Sequence, residues 1–224
     1  YRYVWHRDAA LVVLVLLRMG HREEAGNYLR FLLDYCVEKE NRVPPVTRID
    51  QTPVPDETVL EHLGGYQDSR PVRIHNSAYD QHQLDVYGHV LDAALAYHEV
   101  TGGVSEADLD ELRKVVEAAR GLWRQPGAGL WEIRGRQRHW TNSKLYAWGC
   151  FDRAVRLFER VGGASADLLD TWRAERDAVR DDLLAKGYHS DLGRFVQAYG
   201  AANVDGALLR IPLVGFLPGD DPRV

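Results

Sequence analysis

The stretch from Leu130 to Gly135, with the sequence LWEIRG, places one carboxylate between an indole and an aliphatic side chain. A carboxyl group held against apolar neighbours has a raised pKa, which keeps it protonated near neutral pH. Such a group can donate a proton to a leaving oxygen, so we interpret Glu132 as a general acid. The alternative is a solvated loop glutamate, which is the commoner case for an isolated Trp-Glu pair.

Four clusters of polar and aromatic side chains, the LWEIRG stretch included, each precede a helical pattern. They occupy residues 3–8, 70–76, 131–144 and 195–200. Indole rings can stack on a sugar, and arginine, aspartate, asparagine and glutamine can hydrogen-bond its hydroxyls. If the four clusters meet in space, they form a pocket suited to a carbohydrate.

The elements that must position these clusters are mainly helical. Apolar periodicity predicts helices at residues 7–19, 21–40, 77–101, 105–123, 141–161 and 165–186, with a further helix beginning at 203–209. A long loop covers residues 41–73, and residues 187–200 favour a short β-hairpin. The first, third, fifth and seventh helices begin at intervals of roughly 60 to 70 residues, which indicates a repeated helical hairpin.

A ring of such hairpins explains the placement of the clusters. The first helix of each pair, usually the more apolar one, would line the interior, and the second would cover the outside. All four clusters would then lie at one end of the ring. The chain holds about three and a half hairpins, so a closed ring of six would need roughly as much chain again.

Composition excludes several classes of partner. The chain has 224 residues, 45% of them hydrophobic and 27% charged, which is typical of a soluble globular protein. A net charge of -5 argues against nucleic acid as a partner. The apolar run at residues 9–17 is too short to cross a membrane. We therefore expect a neutral substrate and a cytoplasmic location.

The sequence predicts no metal site and no cofactor. His75, His82 and His89 recur every seven residues, which on a helix is too far apart for shared coordination. The glycines of the acid stretch do not follow a strand, as a dinucleotide-binding motif requires. Cys36 and Cys150 fall inside helical patterns and are interpreted as small buried residues.

Several motifs, taken in order, resemble one known family. They are WHRD at residues 5–8, SRPVRI at 69–74 with Asn76, QLDVYG at 83–88, WE at 131–132, RH at 138–139, SK at 143–144, FVQ at 195–197 and LVGFLP at 213–218. Together they are similar to glycoside hydrolase family 15, which includes glucoamylases, glucodextranases and bacterial trehalases. The resemblance implies an all-α (α/α)6 barrel. Residues 1–224 would be the N-terminal part of a single catalytic domain, without the C-terminal part of the barrel.

The resemblance also implies roles for individual residues. Glu132 matches the general acid of an inverting hydrolysis, whose general base belongs to a motif beyond residue 224. Asp8 and Arg7 match positions that hold the terminal glucose, and Trp5 would be a sugar platform. Without the family match, Asp8 is a helix N-cap beside a surface arginine.

The remaining binding residues lie around the second and third clusters. Arg73 and Asn76 fall in the family's second pocket loop, although His75 stands where a glycine is common. Trp131, Arg134, His139 and Lys144 lie beside or after the acid and are assigned to the pocket. The alternative for Lys144 is an ordinary lysine on a helix surface.

These assignments lead to three functional hypotheses. The first is an inverting exo-α-glucosidase that acts on an oligosaccharide or disaccharide with a terminal α-linked glucose. The second is an α,α-trehalase. The third is a non-catalytic sugar-binding remnant, or an incomplete fragment that lacks its general base and is inactive alone.

Overall fold

The computed structural model describes residues 2–34, 42–50 and 52–224. Within them, helices follow one another in pairs joined by short turns. The pairs are α1 (His6–Arg18) with α2 (Arg22–Leu33), α3 (Asp85–Thr101) with α4 (Glu106–Leu122), and α5 (Thr141–Val161) with α6 (Ala166–Lys186). A short helix, α7 (Arg210–Leu213), begins the next part of the fold.

The helices form two layers. Helix α3 packs between α1 and α5, while α2 lies behind α1 and α6 lies behind α5. Helix α5 is buried along nearly its whole length, whereas α6 buries only Trp172, Val179 and Leu183. The more apolar first helix of each pair is therefore the inner one, as the sequence predicts.

Glycine allows the two central helices to touch. A Cβ added to Gly88 on α3 would lie 2.2 Å from the carbonyl oxygen of Tyr146 on α5. Since no real Cβ tolerates that distance, the close approach of α3 and α5 depends on glycine at this position.

Three small antiparallel sheets connect the helical pairs. Strand β1 (Tyr3–Trp5) pairs with β2 (Val46–Arg48), β3 (Thr58–Val59) pairs with β4 (Arg73–Ile74), and β5 (Tyr188–His189) pairs with β6 (Arg194–Phe195). The last pair confirms the hairpin predicted at residues 187–200. The first two pairs lie within or beside the segment predicted as a loop.

Most helix boundaries agree with the sequence prediction, and their caps explain them. Ser105 forms a capping box with Asp108 at the start of α4, and Ser165 caps α6. The predicted end of the second helix at residue 40, together with Cys36, lies outside the described residues. Cys150 is buried, as predicted.

Two helix starts were predicted wrongly. Residues 77–80 form a separate 3₁₀ turn, because the Asn76 side chain accepts a hydrogen bond from the Ala78 amide and caps it. Helix α3 then starts only at Asp85. Near the other end, a 3₁₀ turn at Gly206–Leu209 precedes α7, so the predicted helix at 203–209 begins later. Across the described residues, no helix has the length and apolar character needed to span a bilayer.

Candidate active site

Glu132 lies in the loop that joins α4 to α5, in an unusual backbone conformation. Its φ angle is 54°, in the left-handed region that side chains other than glycine seldom adopt. The Glu132 amide donates to the carbonyl of Gly129 at 3.2 Å, and its own carbonyl accepts from Gln81 Nε2 at 3.3 Å. These contacts fix the direction in which the Glu132 side chain leaves the loop.

Arg7, in the first turn of α1, connects the acid to the start of α3. Its Nη1 donates to Gln83 Oε1 at 3.0 Å and to Asp85 Oδ2 at 2.9 Å. Its Nη2 donates to the carbonyl of Leu130 at 3.3 Å and to Glu132 Oε1 at 3.2 Å. The structure therefore brings Arg7 and Glu132 together, and it commits the guanidinium group to protein partners.

The pKa of Glu132 is raised above the ordinary glutamate value. The largest cause is burial, which disfavours the charged carboxylate, and the negative charge of Asp8 adds to it. The positive charge of Arg7 and hydrogen bonds from Arg7 and Gln83 act in the opposite direction. The side chain remains 28% exposed, so the carboxyl group can reach a ligand. A general acid needs such a state, and the catalytic role of Glu132 stays a prediction.

The physical reason differs in part from the predicted one. Trp131 and Ile133, the expected apolar walls, are 60% and 40% exposed. We attribute the burial of Glu132 to elements distant in sequence, α1 and the segment before α3. The Trp131 indole nitrogen instead donates to Asp205 Oδ2 at 2.7 Å. Its predicted contact with a sugar stays a prediction.

Asp85 and Gln83 belong to this centre, although the sequence analysis gave them no role. Asp85 is fully buried and Gln83 is 1% exposed, and both bind Arg7. The signal for Asp85 was present in the sequence. A carboxylate in the first turn of an otherwise apolar helix must find a cation when it is buried.

Asp8 and Trp5 lie beside this centre at the start of α1. Asp8 is exposed in the first turn of the helix, close enough that its charge acts on Glu132. Trp5 is half-buried, ends strand β1 and stands at the N-cap position of α1. The N-cap alternative for Asp8 is therefore wrong, while the sugar-binding roles of both residues stay predictions.

The predicted second pocket loop is held by a glutamate that the sequence analysis did not single out. The Glu57 carboxylate forms an ion pair with Arg73 Nε at 3.0 Å. It also accepts hydrogen bonds from both terminal nitrogens of Arg134, at 2.7 and 2.6 Å. Both arginines remain substantially exposed. His75 has a φ angle of 67°, so it adopts the conformation that a glycine would favour at this position. Asn76 serves as the turn cap described above, and binding roles for Arg73, Arg134 and Asn76 stay predictions.

His139 and Lys144 lie in a different place from the acid. They line a cavity of about 500 Å³, here called the lysine cavity, formed by Trp123, Arg124, His139, Lys144, Asp182, Lys186 and Tyr199. The His139 ring stacks on Tyr199 with ring centroids 5.7 Å apart.

Lys144 lines this cavity but is not a surface lysine. It is 1% exposed and donates to the carbonyl oxygens of Trp123 and Gln125, just beyond the end of α4. Burial lowers its pKa to about 8. Its predicted role in binding a sugar does not fit this burial, because its ammonium group caps the carbonyls that follow α4.

The four clusters are connected to one another by pairwise contacts, and the single pocket that they were expected to form stays a prediction. The hydroxyl of Tyr3 lies 2.6 Å from His75 Nδ1, which joins the first cluster to the second. Arg7 joins the first to the third through Leu130 and Glu132. An isolated β-bridge between Trp140 and Ala198 joins the third to the fourth. In the described part of the chain, no group of three or more His, Cys, Asp or Glu side chains could hold a metal ion.

Solved structures show the same fold. A glycosidase in complex with glucose matches 99% of this chain and 58% of its own length, with a TM-score of 0.76 at 18% identity. A wild-type glycosidase gives a TM-score of 0.73 at 18% identity, with 98% of this chain covered and 57% of its own length. The architecture is therefore all-α and of the (α/α)6 type, with three helical hairpins and the start of a fourth in this chain.

Curated relatives are more similar in sequence. A trehalase of Mycobacterium tuberculosis is 38% identical over all of this chain and 33% of its own length. A trehalase of Thermoplasma volcanium is 33% identical, covering 100% of this chain and 35% of its own length. Trehalase 2 of Sulfolobus acidocaldarius is 33% identical, covering 99% of this chain and 38% of its own length.

The chain spans about a third of the length of these relatives. The family model described as glycosyl hydrolases family 15 matches residues 1–224. This match covers every motif on which the resemblance rested. The chain belongs to glycosyl hydrolases family 15.

Proposed function

We propose that the protein carrying this chain is an α,α-trehalase in which Glu132 is the general acid. The observation that carries the proposal is the half-buried Glu132 carboxyl group, which has a raised pKa and lies beside Arg7 and Asp8 of the first cluster. The sequence analysis placed a glucoamylase-like exo-α-glucosidase first. The relatives named trehalase, at 33% to 38% identity, favour the second hypothesis instead.

The chemistry follows from the state of the carboxyl group. A protonated Glu132 donates its proton to the glycosidic oxygen while positive charge develops on the sugar ring. In an inverting mechanism a second carboxylate activates water on the opposite face, about 6.5 to 9.5 Å from the acid. Asp85 is fully buried and bound to Arg7, so it cannot activate that water. The general base is the carboxylate that the family resemblance implies in a motif beyond residue 224.

The substrate side of the site is assigned from exposure. Asp8 offers an exposed carboxylate for the hydroxyls of a glucose unit, and Trp5 is a half-buried indole beside it. Trp131, Arg73 and Arg134 are exposed and would contact the second glucose of the disaccharide. Arg7, with its guanidinium group committed to protein partners, would act chiefly on Glu132.

The test is hydrolysis of trehalose, maltose and isomaltose by the full-length protein. We expect trehalose to be the preferred substrate and to yield one β-glucose and one α-glucose initially, as inversion requires. Glu132→Gln should lose about 10³-fold in kcat while retaining its fold, because it cannot donate the proton. Glu111→Gln on the surface of α4 is the matched control and should keep full activity.

Each alternative predicts a different result. Preference for maltose would support the glucoamylase-like hypothesis, and near-normal turnover by Glu132→Gln would refute the assignment of the acid. Glucose binding without hydrolysis of any of the three sugars would support the non-catalytic hypothesis.

A further inference from the structure

Two residues close to Glu132, Trp131 and Arg134, each hydrogen-bond to a carboxylate that is distant in sequence. One residue before Glu132, Trp131 donates through its indole nitrogen to Asp205 Oδ2 at 2.7 Å. Two residues after it, Arg134 forms a two-pronged pair with Glu57, with nitrogen to oxygen distances of 2.7 and 2.6 Å. The segment from residue 129 to residue 135, here called the acid loop, is thus tied down at two points.

The acid loop needs such support. Gly129 and Gly135, at its ends, have φ angles of 77° and 141°, which glycine adopts easily. Glu132, between them, has the left-handed φ angle that a side chain disfavours. A loop with a conformationally free glycine at each end and a strained residue between them keeps one conformation only when contacts with the surrounding protein fix it.

Glu57 is suited to one of the two holding positions. Its side chain is 13% exposed, and besides Arg134 it binds Arg73 Nε at 3.0 Å and the Ser77 amide at 3.4 Å. These partners, chiefly Arg134, lower its pKa to about 2, so Glu57 stays ionised throughout the range in which a glycosidase works. It connects strand β4 and the 3₁₀ turn at residues 77–80 to the acid loop.

Asp205 occupies the other holding position. Its Oδ1 accepts from the Ala207 amide at 2.9 Å and caps the 3₁₀ turn there. Its Oδ2 accepts from Trp131 and from Gln197 Nε2, the latter at 3.0 Å. One carboxylate thus joins the fourth cluster to the acid loop.

We propose that Glu57 and Asp205 are positioning residues that hold the acid loop after and before Glu132, respectively, and aim the carboxyl group of Glu132 at the glycosidic oxygen. The proposal rests on the proposed function of Glu132. It assigns neither residue a contact with the substrate. A displacement of about 1 Å at a reacting group can cost about 10²-fold in rate, so the two anchors control catalysis from outside the pocket.

The variants Glu57→Gln and Asp205→Asn in the full-length protein test this proposal. Asn at 205 can keep the cap on Ala207 but turns an amide donor toward the Trp131 indole. For each variant we expect kcat to fall about 10- to 100-fold, and KM to rise by a smaller factor, because Trp131, Arg73 and Arg134 are also assigned to the second glucose. Amide hydrogen exchange in residues 129–135 should become several-fold faster without substrate, while the helices keep their protection.

Two further variants separate positioning from general structural damage. Glu99→Gln is the matched control, because Glu99 also forms ion pairs with two arginines, Arg156 and Arg160. These three residues lie on helix surfaces, and none belongs to the acid loop. It should leave kcat and loop exchange unchanged. Trp131→Phe removes the donor to Asp205, so combining it with Asp205→Asn should cost little more than the larger single loss.

The outcomes separate this proposal from the proposed function. Unchanged loop exchange, unchanged kcat, or a raised KM with normal kcat would overturn the anchoring role. Faster loop exchange in a protein that hydrolyses none of the three sugars would refute the proposed function but leave the anchoring of the loop established. Faster exchange together with a loss in kcat that exceeds the rise in KM supports both.

Discussion

The acid site and the lysine cavity are the two ends of one segment, residues 131–144, yet they use their charged groups differently. At the acid site, Glu132 is partly exposed and shares Arg7 with Asp85. In the lysine cavity, Lys144 is 1% exposed and bonds to backbone carbonyls at the end of α4. The carboxyl group of Glu132 is thus open to solvent, while the ammonium group of Lys144 serves the fold by binding backbone carbonyls.

The same force acts on both groups. Burial disfavours charge, so the pKa of Glu132 rises and the pKa of Lys144 falls to about 8. A shifted pKa therefore does not by itself identify a catalytic group. Two further properties distinguish a catalytic group from a structural one: whether its titrating atom is exposed, and whether that atom can still form a hydrogen bond with a ligand.

The largest expected effect comes from breaking the ion pair between Arg7 and Asp85, next to Glu132. Asp85→Asn removes the charge that balances the buried Arg7, and loss of one partner of a buried pair costs about 3 kcal/mol or more. Arg7 should then lower the pKa of Glu132 further, because less of its charge is offset. Urea unfolding and the pH profile of kcat/KM, with the basic limb moved to lower pH, measure the two consequences.

A paired substitution makes the Asp85 test sharper. Arg7→Met/Asp85→Leu removes both charges and should regain much of the lost stability, since an apolar pair avoids burying an unbalanced ion. Activity should not return, because Glu132 has lost its arginine. A double variant that recovers turnover would show that Arg7 does not organise the acid.

Lys144→Met, in the lysine cavity, should lower the stability of the protein without a matching loss of activity. The change leaves the carbonyls of Trp123 and Gln125 without their donor, which should cost about 1 to 2 kcal/mol at neutral pH. We expect kcat to change less than about threefold, because the lysine cavity does not hold the acid. A loss of kcat well beyond threefold would contradict this distinction between the two regions.

Sequence patterns predicted the helical framework well because its signals are local. Helix α5 has the predicted bounds at Thr141–Val161, and Ser105 caps α4 as predicted. The start of α3 was predicted wrongly because Asn76 caps a short turn inside the same apolar pattern. Strands β1 and β2 were not predicted, since a three-residue pairing across about 40 residues has no local signature.

The site was predicted at the level of its clusters but not of its contacts. Glu132 and Arg7 lie together, yet nothing local links Arg134 to Glu57, which is 77 residues away. The His139 and Lys144 side chains follow Glu132 closely in sequence but turn into another cavity. Which way a side chain leaves the backbone depends on the three-dimensional surroundings, which sequence order does not specify.

The pH dependence of stability should also differ between the two regions. Folded Lys144 releases its proton near pH 8, whereas an unfolded lysine holds it to about pH 10.5. Between these values the unfolded chain binds more protons, so this group makes the folded state more stable as pH rises. The difference in unfolding free energy between wild type and Lys144→Met, measured from pH 7 to 10.5, should therefore grow with pH. A constant difference would contradict a lowered pKa at Lys144.

The smallest effect is expected from Asp8→Asn at the rim of the acid site. The negative charge of Asp8 contributes to the raised pKa of Glu132, though less than burial does. A neutral side chain of similar size removes that contribution, so the basic limb of kcat/KM should move to lower pH. Asp34→Asn is a matched control at the end of α2, and it should leave the limb unchanged. A limb that stays in place for Asp8→Asn would mean that burial alone sets the pKa of the acid, while a raised KM would separately report the predicted contact of Asp8 with the sugar.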